Sequence, residues 1–465
     1  MAAWDRRSPS ALQKQQAAAV RTQVVDVVGP FSPWWRERLQ ALGRSASSVA
    51  TPDALGSLPA AGERDVCPDG DPSGAAALVV QAGEQGWALH AEGPRLRKAL
   101  GRRLVWPGSY RAVVEADTRP TSFVWAGLAL RFPVASTRAD LDAVARCGAR
   151  LWQVLGLSRA DVMVSVLPLL PSAEAQSLAL GALGAGSPFL APGDEPDAAA
   201  EALRLVPATV LAVPTRTAAT VLDDLDEAAA DLTSLRTLLL VGAPEPADRD
   251  DARDALVRAG VADCAVLAVH VPDGHRLAWG ECRQSSGETG LHTYPDLELV
   301  DTVDPETGEA ADAGGPRELV LTQLGLRGTA LLRWRTGDVV DGVETAPCPA
   351  CRRTVPRVLG TRAGALVPTL AFRSGPTAVD LRAVAGALVG RPDIDDWRVL
   401  VAASARDGAD QLLVHVVPAD GADAAAVVVG VAQDVRRTSG LFPTQVVVGD
   451  LPDDGVRVAR RVLLR

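Results

Sequence analysis

The sequence predicts an α/β protein in two parts: a large N-terminal domain of mostly parallel sheets flanked by helices, with an added β-meander, and a small α+β C-terminal domain. Three observations predict it. Between residues 160 and 270 short apolar strands alternate with Ala-rich helices, the pattern of a parallel sheet covered on both faces. From 280 to 358 that alternation gives way to β-branched runs joined by polar turns, which reads as a meander. Beyond 360 strands and helices mix in a segment of small-domain size. The expected domains are therefore 1–359 and 360–465, and a chain of 465 residues is long enough to bury a large core in each.

Taken in order, residues 1 to about 60 read as helices with a turn at Gly29-Pro30 and an amphipathic stretch that buries Trp34 or Trp35. From Ala75 to Glu115 the runs AALVVQA, WALHAEG and YRAVVEAD predict strands around one short helix at Arg95 to Arg103. Ser136-Thr137 is positioned to cap a helix whose first turn carries Asp140 and Asp142. The βα series comes next, and Gly242-Ala243-Pro244 lies just beyond the strand TLLLV, where open α/β sheets bind ligands; a plain strand-to-helix turn has the same composition. In the last hundred residues LVPTLAF, DWRVLVAASA, QLLVHVVP and TQVVVGD predict strands, and PTAVDLRAVAGALVG and ADAAAVVVGVAQDVRRTSG predict helices.

Composition excludes some functions. The net charge of -10 argues against a nucleic-acid partner. No run of about eighteen apolar residues occurs, so no membrane span is expected. The N-terminus has no apolar core behind its charges, which argues against a signal peptide and for a cytoplasmic location. Six cysteines in a chain of this length point to metal binding or burial rather than a disulfide framework.

The chemistry concentrates between Gly280 and Gly360. Two apolar runs, Leu297 to Val303 and Glu318 to Thr322, flank the acidic turn DPETGEAADAGG. The string Arg333-Trp334-Arg335-Thr336-Gly337-Asp338 then ends a strand in a carboxylate, a group that accepts the paired hydrogen bonds of a sugar diol. Cys348-Pro-Ala-Cys351 sets two soft ligands at the spacing by which one turn grips one metal ion.

The order of these features, GEC, GLH, the DPETGE turn, ELVLT, LLRWRTGD and a cysteine pair before TVPRVLG, resembles phenylacetate-CoA ligases of the adenylate-forming superfamily of acyl-CoA synthetases. The resemblance implies a fold that activates a small carboxylic acid with ATP, by way of an acyl-AMP, and passes it to CoA. It places Asp338 toward the ribose hydroxyls, Gly242, Ala243 and Pro244 beside adenine, and Arg362 at the hinge of the C-terminal domain. A structural zinc needs four ligands, and Cys282 and His292 join Cys348 and Cys351 as the candidates; some members of the resembled family carry zinc at this place. Family members commonly dimerise, so a homodimer or a biosynthetic complex is the expected assembly.

The chain departs from the family where triphosphate is handled. A Ser/Thr/Gly-rich loop ending in lysine is expected near Thr118 to Arg131, but only Thr121, Ser122 and Gly127 remain of it, among Phe123 and Trp125. The aromatic-Gly-x-Ser/Thr-Glu string has no counterpart between Val266 and His275; Asp273 there reads as a Pro-Asp-Gly surface turn rather than a metal ligand. Val456 or Arg457 stands where a catalytic lysine belongs, and arginine's planar fork does not replace a compact point charge. Acid adenylation is expected to be weak or lost, with nucleotide or acyl-ligand binding retained. The alternatives are an active acid-CoA ligase working through substitute residues and a structural subunit of a biosynthetic complex.

Overall fold

The computed structural model describes residues 4–68, 70–82, 84–90, 93–105, 107–168, 171–284, 289–311, 317–404, 409–449 and 458–463. The chain divides into two compact units, Met1–Val303 with Pro316–Ala363, and Asp304–Gly315 with Gly364–Arg465. Among the described residues no helix is long and apolar enough to cross a membrane.

The first unit contains a small antiparallel hairpin, β1 (Pro120–Ala126) and β2 (Phe132–Thr137). The strands of the βα series come after it: β3 (Met163–Ser165), β4 (Phe189–Leu190), β5 (Val210–Pro214), β6 (Thr237–Val241) and β7 (Ala265–His270). These five are parallel. Antiparallel strands extend the sheet: β8 (Trp279–Gly280) and β9 (Leu291–His292), and, after the meander β10 (Glu298–Val303), β11 (Arg317–Gln323) and β12 (Trp334–Val340), the pair β13 (Gly342–Glu344) and β14 (Arg357–Leu359). The order across the nine strands is β13-β14-β9-β8-β7-β6-β5-β3-β4. Every residue of β6 is buried, as a central strand covered on both faces requires.

The helix Arg138–Leu155 starts where the sequence places it: the Thr137 hydroxyl accepts from Asp140 N and the Asp140 carboxylate accepts from Thr137 N. It packs on Ala173–Ala185 through Gly148, where an added Cβ would lie 2.0 Å from Gly181 Cα, so the close helix contact needs glycine. At its N-terminal end a fully buried arginine ties four segments together. Arg276 Nη1 donates to Ala135 O at 2.7 Å and to Asp140 at 3.3 Å, and Nη2 donates to Gln323 at 2.5 Å and to Thr329 O at 2.7 Å.

One stretch differs from expectation. The strands expected between Ala75 and Glu115 are helical turns instead, Pro72–Leu78, Glu84–His90, Gly93–Val105 and Pro107–Thr118. Trp87, Ala99, Tyr110 and Val114 form a small core of their own there, and burial of these helical faces overrides the β preference of their valines. Of the two expected aromatic anchors, Trp35 is buried and Trp34 stacks edge-on against it.

The second unit holds the hairpin β15 (Thr369–Phe372) and β16 (Gly375–Ala378), then β17 (Ile394–Ala403), β18 (Asp410–Pro418), β19 (Gln445–Val448) and β20 (Val458–Leu463), with sheet order β19-β18-β17-β20. The helix expected from Pro376 is shorter, Leu381–Gly386, because residues 375–378 pair as a strand and Asp380 caps the helix only after that strand has ended. Helix Ala424–Ser439 lays Val427, Val431 and Val435 on the sheet.

Candidate functional site

Cys282, His292, Cys348 and Cys351 come together at the β8, β9, β13 and β14 edge of the large sheet. Their ligand atoms all lie within 4.8 Å of one another. Pairing of β9 with β14 brings His292 opposite Arg357, and the cysteine turn between β13 and β14 folds back over it, closed by Cys348 N to Arg353 O and Arg352 N to Cys348 O. The Cys282 and Cys348 sulfurs are 3.9 Å apart and Cys351 Sγ is 3.5 Å from His292 Nε2. A tetrahedron with Zn–S near 2.3 Å and Zn–N near 2.0 Å has edges of roughly 3.8 Å and roughly 3.5 Å, so the donor set fits one zinc ion. Cys282, hydrogen-bonded to Cys351 and buried, has its pKa raised, whereas Cys351, accepting that bond and one from His292, is held far below a normal thiol at about 2.

A second group forms at the C-terminal ends of the parallel strands. The Gly242 amide donates to Val269 O at 2.7 Å, which sets the Gly242-Ala243-Pro244 turn beside the end of β7. The next residue of that strand, His270, is buried and its Nε2 lies 2.8 Å from a carboxylate oxygen of Asp338 on β12. Arg362 pairs its backbone with Val339 and reaches Asp341 at 3.0 Å. The two arginines of the RWRTGD string are engaged nearby: Arg333 contacts Asp301 at 2.7 Å, and Arg335 contacts Glu318 through Nε at 2.8 Å.

The third group is the turn between β1 and β2, at the place expected of the phosphate loop. Gly127 has φ +90, and an added Cβ would lie 2.0 Å from Leu130 O, so this one retained glycine is sterically required. Four successive amides of the turn point at carboxylates. Gly127 N donates to Asp273 at 2.8 Å, Leu128 N to Glu63 at 2.5 Å, Ala129 N to Glu63 at 3.0 Å and Leu130 N to Glu63 at 2.8 Å. The Pro272-Asp273-Gly274 turn is present, with His275 N bonded to Pro272 O, but Asp273 faces inward rather than outward.

No family model matches the chain, and no curated protein matches its sequence. Solved structures do match. A 2-hydroxyisobutyryl-CoA ligase in complex with 2-HIB-AMP and CoA, in the thioesterification state, aligns with a TM-score of 0.61 at 15% identity over 99% of this chain and 91% of that one. An open conformation of the same ligase gives 0.59 at 15% identity over 98% and 93%. This chain has the adenylate-forming fold. Its likeness to the ligase extends over both units.

The amides of 127–130, where the resemblance leads one to expect a phosphate loop, are engaged by Glu63 and Asp273. Val456 and Arg457, which the resemblance sets where a catalytic lysine belongs, lie outside the described residues. Glu63, Asp273 and His270 are the site residues that the sequence did not reveal. Burial, then the charge of Glu63, pushes the Asp273 carboxyl up to about 7. Between about pH 4 and about pH 7 the folded chain therefore holds a proton that the unfolded chain has released, so this group's contribution is full below about pH 4 and lost as pH rises through about 7. Asp273→Asn is expected to shrink the stability difference between about pH 5 and about pH 8, read by urea unfolding, by up to about 2.5 kcal/mol; an unchanged difference would show that Asp273 is ionised throughout.

Proposed function

We propose that the chain is a phenylacetate-CoA ligase-like protein of the AMP-dependent synthetase type whose acid adenylation is weak or lost, and which uses its fold to bind a nucleotide or an acyl ligand. One observation carries this reading: the four amides that would meet phosphate oxygens already meet carboxylates of the chain itself. Adenylation depends on donors aimed at charge that develops on phosphate, and removing even one such donor costs on the order of 10² to 10³ in rate. Lysine does not occur after Lys98, so the cationic half of the machinery is missing as well.

Gly242, Ala243, Pro244, Asp338 and Arg362 are the positions at which an adenosine moiety is expected. The ligase of like fold was solved with an acyl-AMP and CoA, which supports those ligand classes here. Cys282, His292, Cys348 and Cys351 would hold one zinc ion in a structural role, since four protein ligands leave no position for water. The free thiols and the acidic composition suit a reducing cytoplasm.

Acid-dependent pyrophosphate exchange tests the reading. With a panel of aryl and alkyl carboxylic acids, the expected result is no exchange above background. Any acid that produces robust exchange shows acid adenylation and overturns this reading in favour of an active acid-activating enzyme. Calorimetry with AMP, ATP and CoA then separates a ligand-binding protein, which gives heat with at least one of them, from a structural subunit of a complex, which gives none.

A further inference from the structure

The carboxylate that closes the 127–130 turn belongs to a residue held firmly from behind. Glu63 begins the short helix Glu63–Val66 and is 6% exposed. The residues before it are fastened to the start of β12: Ala61 N donates to Arg333 O at 2.8 Å and Arg335 N donates to Ala61 O at 2.8 Å. Gly62 N is closed by the Asp65 carboxylate at 2.8 Å. From this anchor both Glu63 oxygens receive amide hydrogens, one from Leu128 and the other from Ala129 and Leu130. Successive amides converging on one side form the concavity that cradles phosphate and other oxyanions. A buried carboxylate costs free energy unless its charge is met by donors, and these amides meet it.

We propose that the Gly127–Leu130 turn is an oxyanion-binding nest and that Glu63 is its built-in occupant, a tethered competitor that holds the nest shut against phosphate-bearing ligands. A competitor on the same chain acts at a high, fixed effective concentration, which a free anion in solution does not overcome. The inference deepens the reading above, and rests on it for the claim that the natural chain adenylates acids weakly or not at all; what it adds is the residue responsible and the ligand class uncovered when that residue is changed. Asp273 remains on the Gly127 amide, so removal of the Glu63 carboxylate frees the three amides of Leu128, Ala129 and Leu130, a donor set for a small oxyanion such as inorganic phosphate or pyrophosphate.

The test uses the full chain with Glu63→Ala and Glu63→Gln, inorganic pyrophosphate followed by calorimetry, and formate followed by thermal unfolding. Glu63→Ala is expected to bind pyrophosphate at least roughly tenfold more tightly than the parent chain, the worth of about one charge-assisted contact. Glu63→Gln should fall between the two, because its carbonyl oxygen still accepts while its NH2 opposes the amide donors. Formate, a free carboxylate, should raise the thermal midpoint of Glu63→Ala to a saturating level and leave the parent chain unmoved, with chloride as the control. If Glu63→Ala fails to fold, Glu63→Gln carries the comparison. Pyrophosphate binding no tighter in the folded variants than in the parent chain overturns the proposal, as does stabilisation of Glu63→Ala by chloride equal to that by formate. Acid-dependent exchange by the parent chain would overturn the reading of lost adenylation; unaltered anion affinity in the variants would overturn the nest alone.

Discussion

Cys348→Ser is expected to strip one zinc ion from the chain and to lower its unfolding free energy by about 3 kcal/mol or more. Cys348 and Cys282 are both fully buried, and they pack with Val154 in a cluster that has little other apolar content. The ion would join segments 66 residues apart in sequence, adding to the short β9–β14 pairing that already opposes the entropy cost of closing that loop. A ligand that binds only the folded chain at a thousand times its dissociation constant adds about 4 kcal/mol, which sets the scale of the loss. Serine oxygen is a poor zinc ligand, so the variant should resemble the chain treated with chelator. Cys264→Ser, at a half-buried cysteine outside the cluster, should keep its zinc. Metal analysis of purified protein and urea unfolding with and without EDTA decide the matter. Parent protein with no zinc, or a Cys348→Ser variant that unfolds with the parent, would leave the four residues as a packing of thiols around an imidazole.

How much of this was legible in the sequence depended on whether the signal was local. The βα series could be read because each strand is a short apolar run and several helices begin with a Pro, as in Pro196–Leu205 and Pro246–Arg258. The Cys-Pro-Ala-Cys turn announced itself by spacing. The runs between Ala75 and Glu115 misled because a four-residue apolar run has no period, and only packing among Trp87, Tyr110 and Val114 shows that it lies on helices. Glu63 was invisible for a different reason. In AAGERD it has the composition of a solvated turn, and its partners at Leu128 to Leu130 come some 65 residues later. His270 and Asp338, 68 apart, are likewise joined only by the fold. The departure of residues 118–131 from a Gly-rich, lysine-ended composition could be read from the sequence; the carboxylates that its amides meet could not.

The site's frame depends on one arginine, and Arg276→Met is expected to cost about 3 to 5 kcal/mol. Arg276 is fully buried, and burial depresses its pKa while Asp140 pulls it back up. Methionine fills similar volume but removes the guanidinium hydrogen bonds to Ala135 O, Thr329 O and Gln323, leaving Ala135 O only the Thr329 amide among those described, and takes the cation away from Asp140. Asp140 keeps amide bonds from Thr137, Arg327 and Gly328, so its charge is not abandoned, which holds the cost within the range for a broken buried pair. Lysine would not rescue it, because a single ammonium cannot serve two sides of the guanidinium plane at once. Arg276 lies three positions after Asp273 in the same connection, and β2, which it ties down through Ala135, is the strand that leaves the 127–130 turn. The variant should therefore loosen the Gly127 amide's hold on Asp273 and flatten the pH dependence assigned to that carboxyl, besides lowering the urea midpoint. A loss under about 1 kcal/mol would mean that the four segments hold their places without the arginine, and that the frame of the site is set by the sheet alone.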